Sequence, residues 1–369
     1  MKPVNPSRRS DGPRIALVLG GGGMKGFAHI GVLKALQEAG ITPALYAGTS
    51  IGAMVAAAAV SGMTPDELAR RAEQLKRKDL FRINHMGMLM DRMKSRSIYL
   101  EGPLRDLCSS VVPEGTFQDL PARLLVNTVD IERGTQVVWG LPGMRDVSVQ
   151  DAVYASCALP GFFPPGIVGD RVCIDGGVID NMPAGVASLD MDMVIGVDVG
   201  SSDLARMPGI AQLGFAALYM RSAMTMMHKL QQTPLSQWGA PPLLLIRPKV
   251  GRDWLSFAHG ARHIREGYRA ASKALEHFET YLGQKRGVFP RKRVTLTVNE
   301  QKCIGCGLCA AIAPAYMGMG SNGKAYVRIE EPEWASPDGE FVYHCPTGAI
   351  EADRGEMVAP GPTAGRGAA

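Results

Sequence analysis

The first apolar run, Ile15 to Leu19, is five residues long with no polar interruption. Four glycines follow, and then apolar side chains recur at Phe27, Ile30, Leu33 and Leu36 until Gly40. A short uninterrupted run is the pattern of a strand buried on both faces, and recurrence every three or four residues is that of a helix. A second strand near Ala44 to Ala47 runs into Gly48-Thr-Ser-Ile-Gly52, followed by a helix of small residues, Ala53 to Val60. Residues 66 to 98 read as helical, basic and rich in methionine (Met86, Met88, Met90, Met93). Further strands are expected at Arg123 to Ile131, Thr135 to Trp139, Arg171 to Ile174, Met193 to Val199 and Leu243 to Pro248. Strands alternating with helices predict an α/β fold with a mostly parallel sheet covered on both faces, a three-layer α/β/α domain.

The pattern changes near the end of the chain. A long amphipathic helix, about Leu255 to Leu282, is expected to close a first domain at residues 1–283. Residues 284–293 carry five basic side chains, a glycine and a proline, which is the composition of a linker. Residues 294–355 then read as a small α+β cysteine domain, and residues 356–369, rich in glycine, proline and alanine, as a disordered tail.

Composition narrows the class without naming a function. With 46% hydrophobic and 20% charged residues in 369, the chain can bury a large core, which excludes collagen-like, disordered and miniature disulfide-stapled proteins. The net charge is +5, and the basic excess belongs to the part before Phe289; it is too small to indicate nucleic acid and is compatible with anionic lipid. The longest stretch without a charged residue, between Glu38 and Asp66, contains Pro43 and several glycines, serines and threonines, so a strand, turn and helix explain it better than a membrane span. The amino-terminal apolar run is too short for a signal peptide. Reduced thiols in a chain of this size imply a cytoplasmic setting.

Candidate chemistry begins at Gly48-Thr49-Ser50-Ile51-Gly52, a G-x-S-x-G sequence between an expected strand and an expected helix. Glycines on both sides permit the sharp turn that exposes a nucleophilic serine, and the helix start adds a positive dipole end. Gly21-Gly22-Gly23-Met24-Lys25-Gly26 has the form G-x-G-x-x-G. A dinucleotide reading needs an acidic residue about 20 positions later, and none occurs between Glu38 and Asp66. A Walker loop is excluded because Lys25 precedes glycine. What remains is a run of amides able to bind an anion or a developing oxyanion. Asp175-Gly176-Gly177 places a carboxylate at an expected strand end.

These three motifs, with the segment Ala155 to Pro165 between them, resemble the patatin-like phospholipase family over about residues 15–248. The resemblance implies a Ser-Asp dyad in which Ser50 is the nucleophile and Asp175 the base. It also implies an oxyanion hole built from Gly21, Gly22, Gly23, Lys25 and Gly26 with Ile51, the amides of Gly22, Gly23 and Ile51 donating. An α/β-hydrolase would share G-x-S-x-G but requires a histidine after the acid; His228, His259, His263, His277 and His344 follow Asp175, none in a turn motif, and His29 reads as a helix residue beside the site. Lys25 is open to two readings, attraction of a phosphate or simple solvation.

The second constellation is Cys303-x₂-Cys306-x₂-Cys309 with a remote Cys345-Pro346. Three thiolates on one tight turn and a fourth from a distance suit an iron–sulfur cubane. Residues 293–353 resemble bacterial ferredoxins, with Ala313 where a second-cluster cysteine would stand, so one [4Fe-4S] cluster is expected. Zinc is the alternative, although zinc ligands usually come as two separated pairs. Cys108, Cys157 and Cys173 read as buried structural thiols.

The whole then predicts a hydrolase of phospholipid or other acyl-ester lipids, in the cytoplasm or peripherally at the inner membrane surface. The methionine-rich stretches, including Met220, Met224, Met226 and Met227, form either core or an apolar rim that meets anionic lipid. An electron-transfer partner would follow from the cluster. The alternative is an electron-transfer or redox-sensing protein whose first domain only docks lipid or a partner.

Overall fold

The computed structural model describes residues 12–85, 97–200, 207, 209–251, 256–257, 259–335 and 338–358. It divides into two compact units. One is built on the chain up to Gln231 together with Ile246–Glu276, the other on Gln232–Leu245 and the chain from His277.

In the first unit, strand β1 (Ile15–Leu19) leads through the glycine loop to helix α1 (Ala28–Glu38), and β2 (Leu45–Thr49) leads to α2 (Ile51–Val60). Helix α3 (Pro65–Gln74) starts at a capping box, in which Thr64 and Glu67 each satisfy the other's backbone amide. After α4 (Glu101–Val111) come β3 (Arg123–Asp130), β4 (Thr135–Trp139), α5 (Val149–Cys157), β5 (Gly166–Val168), β6 (Arg171–Asp175), β7 (Met193–Val197) and α6 (Phe215–Ser236), whose residues from Gln232 on are counted with the second unit. Helix α7 (Gly260–Leu275) completes the unit.

The strands lie in the order β5-β6-β3-β2-β1-β7, with β4 paired to β3. The block β3-β2-β1-β7 is parallel, while β4, β5 and β6 are antiparallel additions on one side. Every residue of β1 and β7 is buried, as an inner parallel strand covered on both faces requires. Register sets the functional edge. Leu19 pairs with Gly48 and with Val197, and Thr49 pairs with Asn127, so the carboxyl ends of β1, β2 and β7 finish level and β3 runs on past them to Asp130. β6 arrives antiparallel with Asp175 opposite Thr128, one residue from that level. This is where open α/β sheets carry their sites.

The second unit holds a parallel pair, β8 (Leu243–Ile246) with β9 (Val288–Phe289). It also holds a three-stranded antiparallel sheet, in which β10 (Arg291–Val298) lies between β13 (Glu333–Trp334) and β14 (Ile350–Val358), and a hairpin of β11 (Met317–Met319) and β12 (Ala325–Val327). Its core packs Val294, Leu296, Met317, Trp334, Phe341 and Ile350, with the Trp334 ring edge-on to both Tyr316 and Phe341.

Three expectations change. Residues 284–293 are not an irregular linker, because β9 and the start of β10 lie within them; the arginines at 291 and 293 point outward while Val294 and Leu296 turn into the core. The closing helix breaks after Leu275 and restarts at Phe278, which lets Phe278 and Tyr281 bury and Tyr281 stack on Phe289 at 5.1 Å. In the segment 66 to 98 the helical structure is interrupted after Leu80 and resumes at His85: Ile83 bridges to Tyr99, where Phe81, Tyr99 and Phe163 form an aromatic cluster with centroids 4.9 to 5.8 Å apart. Met86, Met88, Met90 and Met93, the expected helix start at Leu255, and the tail from residue 359 lie outside the described residues; residues 356 to 358 belong to β14.

Candidate active site

Ser50 fills the single position between β2 and α2, with φ 57° and ψ −130°. A non-glycine residue reaches that region only when its surroundings hold it there. The glycines on either side have steric reasons. A Cβ on Gly52 would collide with the carbonyl of Leu19, and one on Gly48 would stand 2.5 Å from the amide of Ala53. The turn is tied down from α5: the Ser50 N–H donates to Ser156 Oγ at 2.9 Å, and the Ser156 hydroxyl donates to the Asn127 carbonyl at 2.7 Å. Asn127 in turn donates from Nδ2 to the Asp180 carbonyl at 2.6 Å and to Thr49 Oγ1 at 3.2 Å.

Asp175 ends β6 almost wholly buried, its Oδ1 accepting the Gly177 amide at 2.8 Å. Burial pushes its pKa up to about 6, even though the Gly177 amide and the Ser50 hydroxyl both favour the carboxylate. The Ser50 hydroxyl therefore meets an acid that changes charge close to neutrality. The Cys157 thiol stands beside Ser50 as well; its contact with Cys108 and its burial push its pKa well above the ordinary thiol range. Sequence treated Cys108 and Cys157 as structural, and both are buried.

The glycine loop is held by a residue that the sequence did not single out. Asn181 accepts the Gly21 amide on its backbone carbonyl at 3.1 Å and donates from Nδ2 to the Gly21 carbonyl at 3.0 Å. Its carboxamide is enclosed by three glycines from three loops, since a Cβ at Gly21, Gly177 or Gly200 would stand 2.5 to 2.8 Å from an Asn181 side-chain atom. Six residues after Asp175, Asn181 thus joins the acid turn to the glycine loop. The spacing of Asn181 after Asp-Gly-Gly was visible in the sequence, but nothing there says that the amide reaches Gly21.

The Gly21 amide is consequently spent on structure. Outside their own helices, the amides of Gly22, Gly23 and Ile51 have no backbone acceptor among the described residues. Gly26 packs against the Ile51 side chain. Lys25 is neither solvated nor free for a phosphate: it is buried, with Nζ 3.5 Å from the Gly200 carbonyl. His29 bonds through Nε2 to the Gly20 carbonyl at 2.8 Å, and burial lowers its pKa to about 4, so the ring is neutral at ordinary pH and braces the loop. Asp175 finds the Gly177 amide and Ser50 as its partners among the described residues, with no histidine between them. Gly176 sits tight against the Asn127 carbonyl, at the root of the acid turn.

A cavity of about 840 Å³ lies at the opposite, amino-terminal ends of β2 and β3, lined by Phe117, Arg123 and Arg145. It does not touch Ser50 or Asp175.

In the second unit Cys303, Cys306, Cys309 and Cys345 line one small cavity, with Ile304, Leu308, Met319 and Ile350 around them. Backbone amides already donate to two of the sulfurs, Ala325 to Cys303 at 3.4 Å and Ala349 to Cys345 at 3.3 Å. The four thiols are not drawn together into a tight group: among the described residues no three His, Cys, Asp or Glu side chains stand at metal-holding distance. The donor set, an apolar wall and amides aimed at sulfur nevertheless fit an iron–sulfur cluster.

Comparison with known proteins matches both units. Residues 17–188 match the family described as patatin-like phospholipase, and residues 296–352 match the 4Fe-4S single cluster domain. An uncharacterized NTE family protein of Mycobacterium tuberculosis is 32% identical over 197 residues, covering 53% of this chain and 52% of that protein. The mouse patatin-like phospholipase domain-containing protein 6 is 33% identical over 196 residues, covering 52% of this chain and 14% of that protein. The chain therefore spans about half the length of the mycobacterial relative and a small part of the murine one. Among solved structures, VipD from Legionella pneumophila aligns at 15% identity over 72% of this chain and 67% of that one, with a TM-score of 0.38.

Proposed function

The chain carries a patatin-like phospholipase domain followed by a 4Fe-4S single-cluster domain, and on that premise we propose that it hydrolyses acyl-ester lipids through Ser50 and Asp175. The observation that carries the reading is the Ser50 hydroxyl set against the buried Asp175 carboxylate on a strained turn. Asp175 takes the hydroxyl proton as Ser50 Oγ attacks the ester carbonyl, and the oxyanion falls to the amides of Gly22, Gly23 and Ile51. Asp175 returns the proton to the departing alcohol, leaving an acyl-serine. Water, deprotonated by the same carboxylate, adds to the acyl carbonyl, and the bond to Ser50 Oγ breaks as Asp175 passes that proton to Oγ, releasing the fatty acid. A phospholipid, or another lipid ester, is the substrate. Turnover of a p-nitrophenyl acyl ester by the purified chain tests the reaction type, and its absence would overturn it.

Cys303, Cys306, Cys309 and Cys345 would hold one [4Fe-4S] cluster, which when bound supplies one-electron transfer, and an electron-transfer partner belongs to this part of the proposal. The hydrolase is assigned to residues 1–283 and the cluster to residues 294–355. Peripheral contact with an anionic membrane from the cytoplasmic side completes it; no helix among the described residues is long and apolar enough to cross a membrane.

The pH profile follows from Asp175. Only its carboxylate can accept the serine proton, so kcat/KM should rise with pH through about 6 and fall about tenfold per unit below. Fatty-acid release measured against pH checks this, and a flat profile down to about pH 5 would contradict it. Unfolding through the two buried groups does not mimic the effect. Asp175, raised from 3.8, adds stability below that value that is lost as pH rises through about 6. His29, lowered from 6.5, adds stability above that value that is lost as pH falls through about 4. Across the shared window the two oppose each other.

Asn181 is proposed as a positioning residue. Asn181→Ala should lower kcat on the order of 10²-fold with little change in KM, because loss of its clasp lets the oxyanion amides drift relative to Asp175. Steady-state kinetics at a temperature where the variant stays folded decides it; a changed melting temperature with unchanged kcat would make Asn181 structural only.

A further inference from the structure

Helix α6 turns two different faces outward and inward. Phe215, Leu218, Tyr219, Met226 and Leu230 recur at helical spacing, and all five are exposed, Phe215 by 83% and Met226 by 60%. Fifteen residues of helix rise make this stripe about 22 Å long. Phe215 and Tyr219 stack on each other at 6.0 Å, which keeps two rings side by side on the surface. On the inward side the Met227 methyl stands 3.1 Å from where a Cβ of Gly177 would lie, so the same helix touches the acid turn of the candidate site. The 22 residues of α6 contain no aspartate or glutamate and include Arg221, His228 and Lys229.

An exposed apolar stripe of this length, broken at Ser222, is unusual on a protein surface and calls for an occupant. Water is a poor one for stacked aromatic rings and methionine. A helix with an apolar stripe, flanking basic residues and no acid matches the interfacial type that lies in the plane of a bilayer with its apolar side sunk about 5–10 Å. The charge balance selects an anionic surface over a neutral one, since the basic residues gain from its negative potential and there is no acid on the helix to repel it. Continuity selects it over a protein partner, because a surface bound to α6 lies beside the one site whose substrate would be drawn from it.

We propose that the outward stripe of α6 docks the protein on an anionic lipid bilayer and so presents the Ser50–Asp175 site to that surface. The exposed stripe and its charge stand on the helix alone; the choice of lipid over a protein partner rests on the hydrolase reading.

The test uses the full chain and a variant in which Phe215→Ser, Tyr219→Ser and Met226→Ser are combined, all at exposed positions outside the catalytic machinery. Co-sedimentation is measured with vesicles of phosphatidylcholine alone and with vesicles of equimolar phosphatidylcholine and phosphatidylglycerol. Hydrolysis of a short, water-soluble p-nitrophenyl ester is followed in parallel. The unaltered chain should prefer the anionic vesicles, and its binding should weaken as the Debye length falls from about 10 Å at 0.1 M salt to about 3 Å at 1 M. The variant should lose vesicle binding on the order of 30-fold while keeping its activity on the soluble ester. Equal binding by variant and unaltered chain, no binding by either, or equal binding to neutral and anionic vesicles would each overturn the proposal. So would a dimer of the unaltered chain that the variant converts to monomer without any vesicle binding. Absence of soluble-ester hydrolysis in both proteins would instead sink the hydrolase reading, with the docking result still legible from sedimentation.

Discussion

Ser50→Ala is expected to bring ester hydrolysis down to background, a loss of about 10³-fold or more, and Asp175→Asn to come close to it. The two side chains act as one unit: the serine hydroxyl is a poor nucleophile until its proton has somewhere to go, and the carboxylate set against it is that of Asp175. Asparagine at 175 keeps the size and still offers an oxygen to the Gly177 amide, so the turn should survive while the proton acceptor is lost. The double variant should be no slower than Ser50→Ala alone, because the base has nothing left to activate. Cys157 is no substitute nucleophile although it lies beside Ser50, since its contact with Cys108 and its burial keep the thiol protonated. Near-normal turnover by either single variant, measured on a p-nitrophenyl ester with melting temperature as a control for folding, would remove the dyad from the mechanism.

What could be read in the sequence was whatever depends on local pattern. The strands at Ile15, Arg123 and Thr135, and the turn at Ser50, follow from apolar runs and glycine spacing, and they lie where the pattern put them. The reason for those glycines was not legible. Gly52 is required by the carbonyl of Leu19, more than thirty residues earlier, and only the pairing of β1 with β2 brings the two together. Asn181, Ser156 and Asn127 escaped for the same cause: a polar residue gives no periodic signal, and its partner is set by strand register. Lys25 shows the converse error. Between glycines it read as a charge facing solvent or substrate, yet the loop folds it inward against Gly200. The basic stretch at 284–293 misled through composition, because charged residues on the outer face of a strand look like a linker when the inward valine and leucine begin only at 294.

Cys345→Ser should cost the protein its intact cluster. Three of the four expected ligands come from one turn, Cys303 to Cys309, and the residue that would extend the series is Ala313, so the fourth thiolate has to come from elsewhere in the unit. Cys345 lines the same cavity and already receives the Ala349 amide, a donor that would stabilise a ligating sulfur. Serine at 345 offers a harder oxygen in place of a soft sulfur, which disfavours iron–sulfur ligation. Anaerobically purified full-length protein should contain about four irons per chain, and Cys345→Ser about three or fewer, checked by iron and sulfide analysis with electron paramagnetic resonance. Cys108→Ser, Cys157→Ser and Cys173→Ser should leave the iron content unchanged, since those thiols are buried in the core of the other unit. Each unit has its own apolar core, so hydrolysis of a soluble ester by Cys345→Ser should stay within a few-fold of the unaltered chain. Retention of four irons with an unchanged spectrum would exclude Cys345 as a ligand. A large loss of hydrolysis together with the cluster would show instead that the iron–sulfur unit controls the serine site, and would move the cluster from accessory to switch.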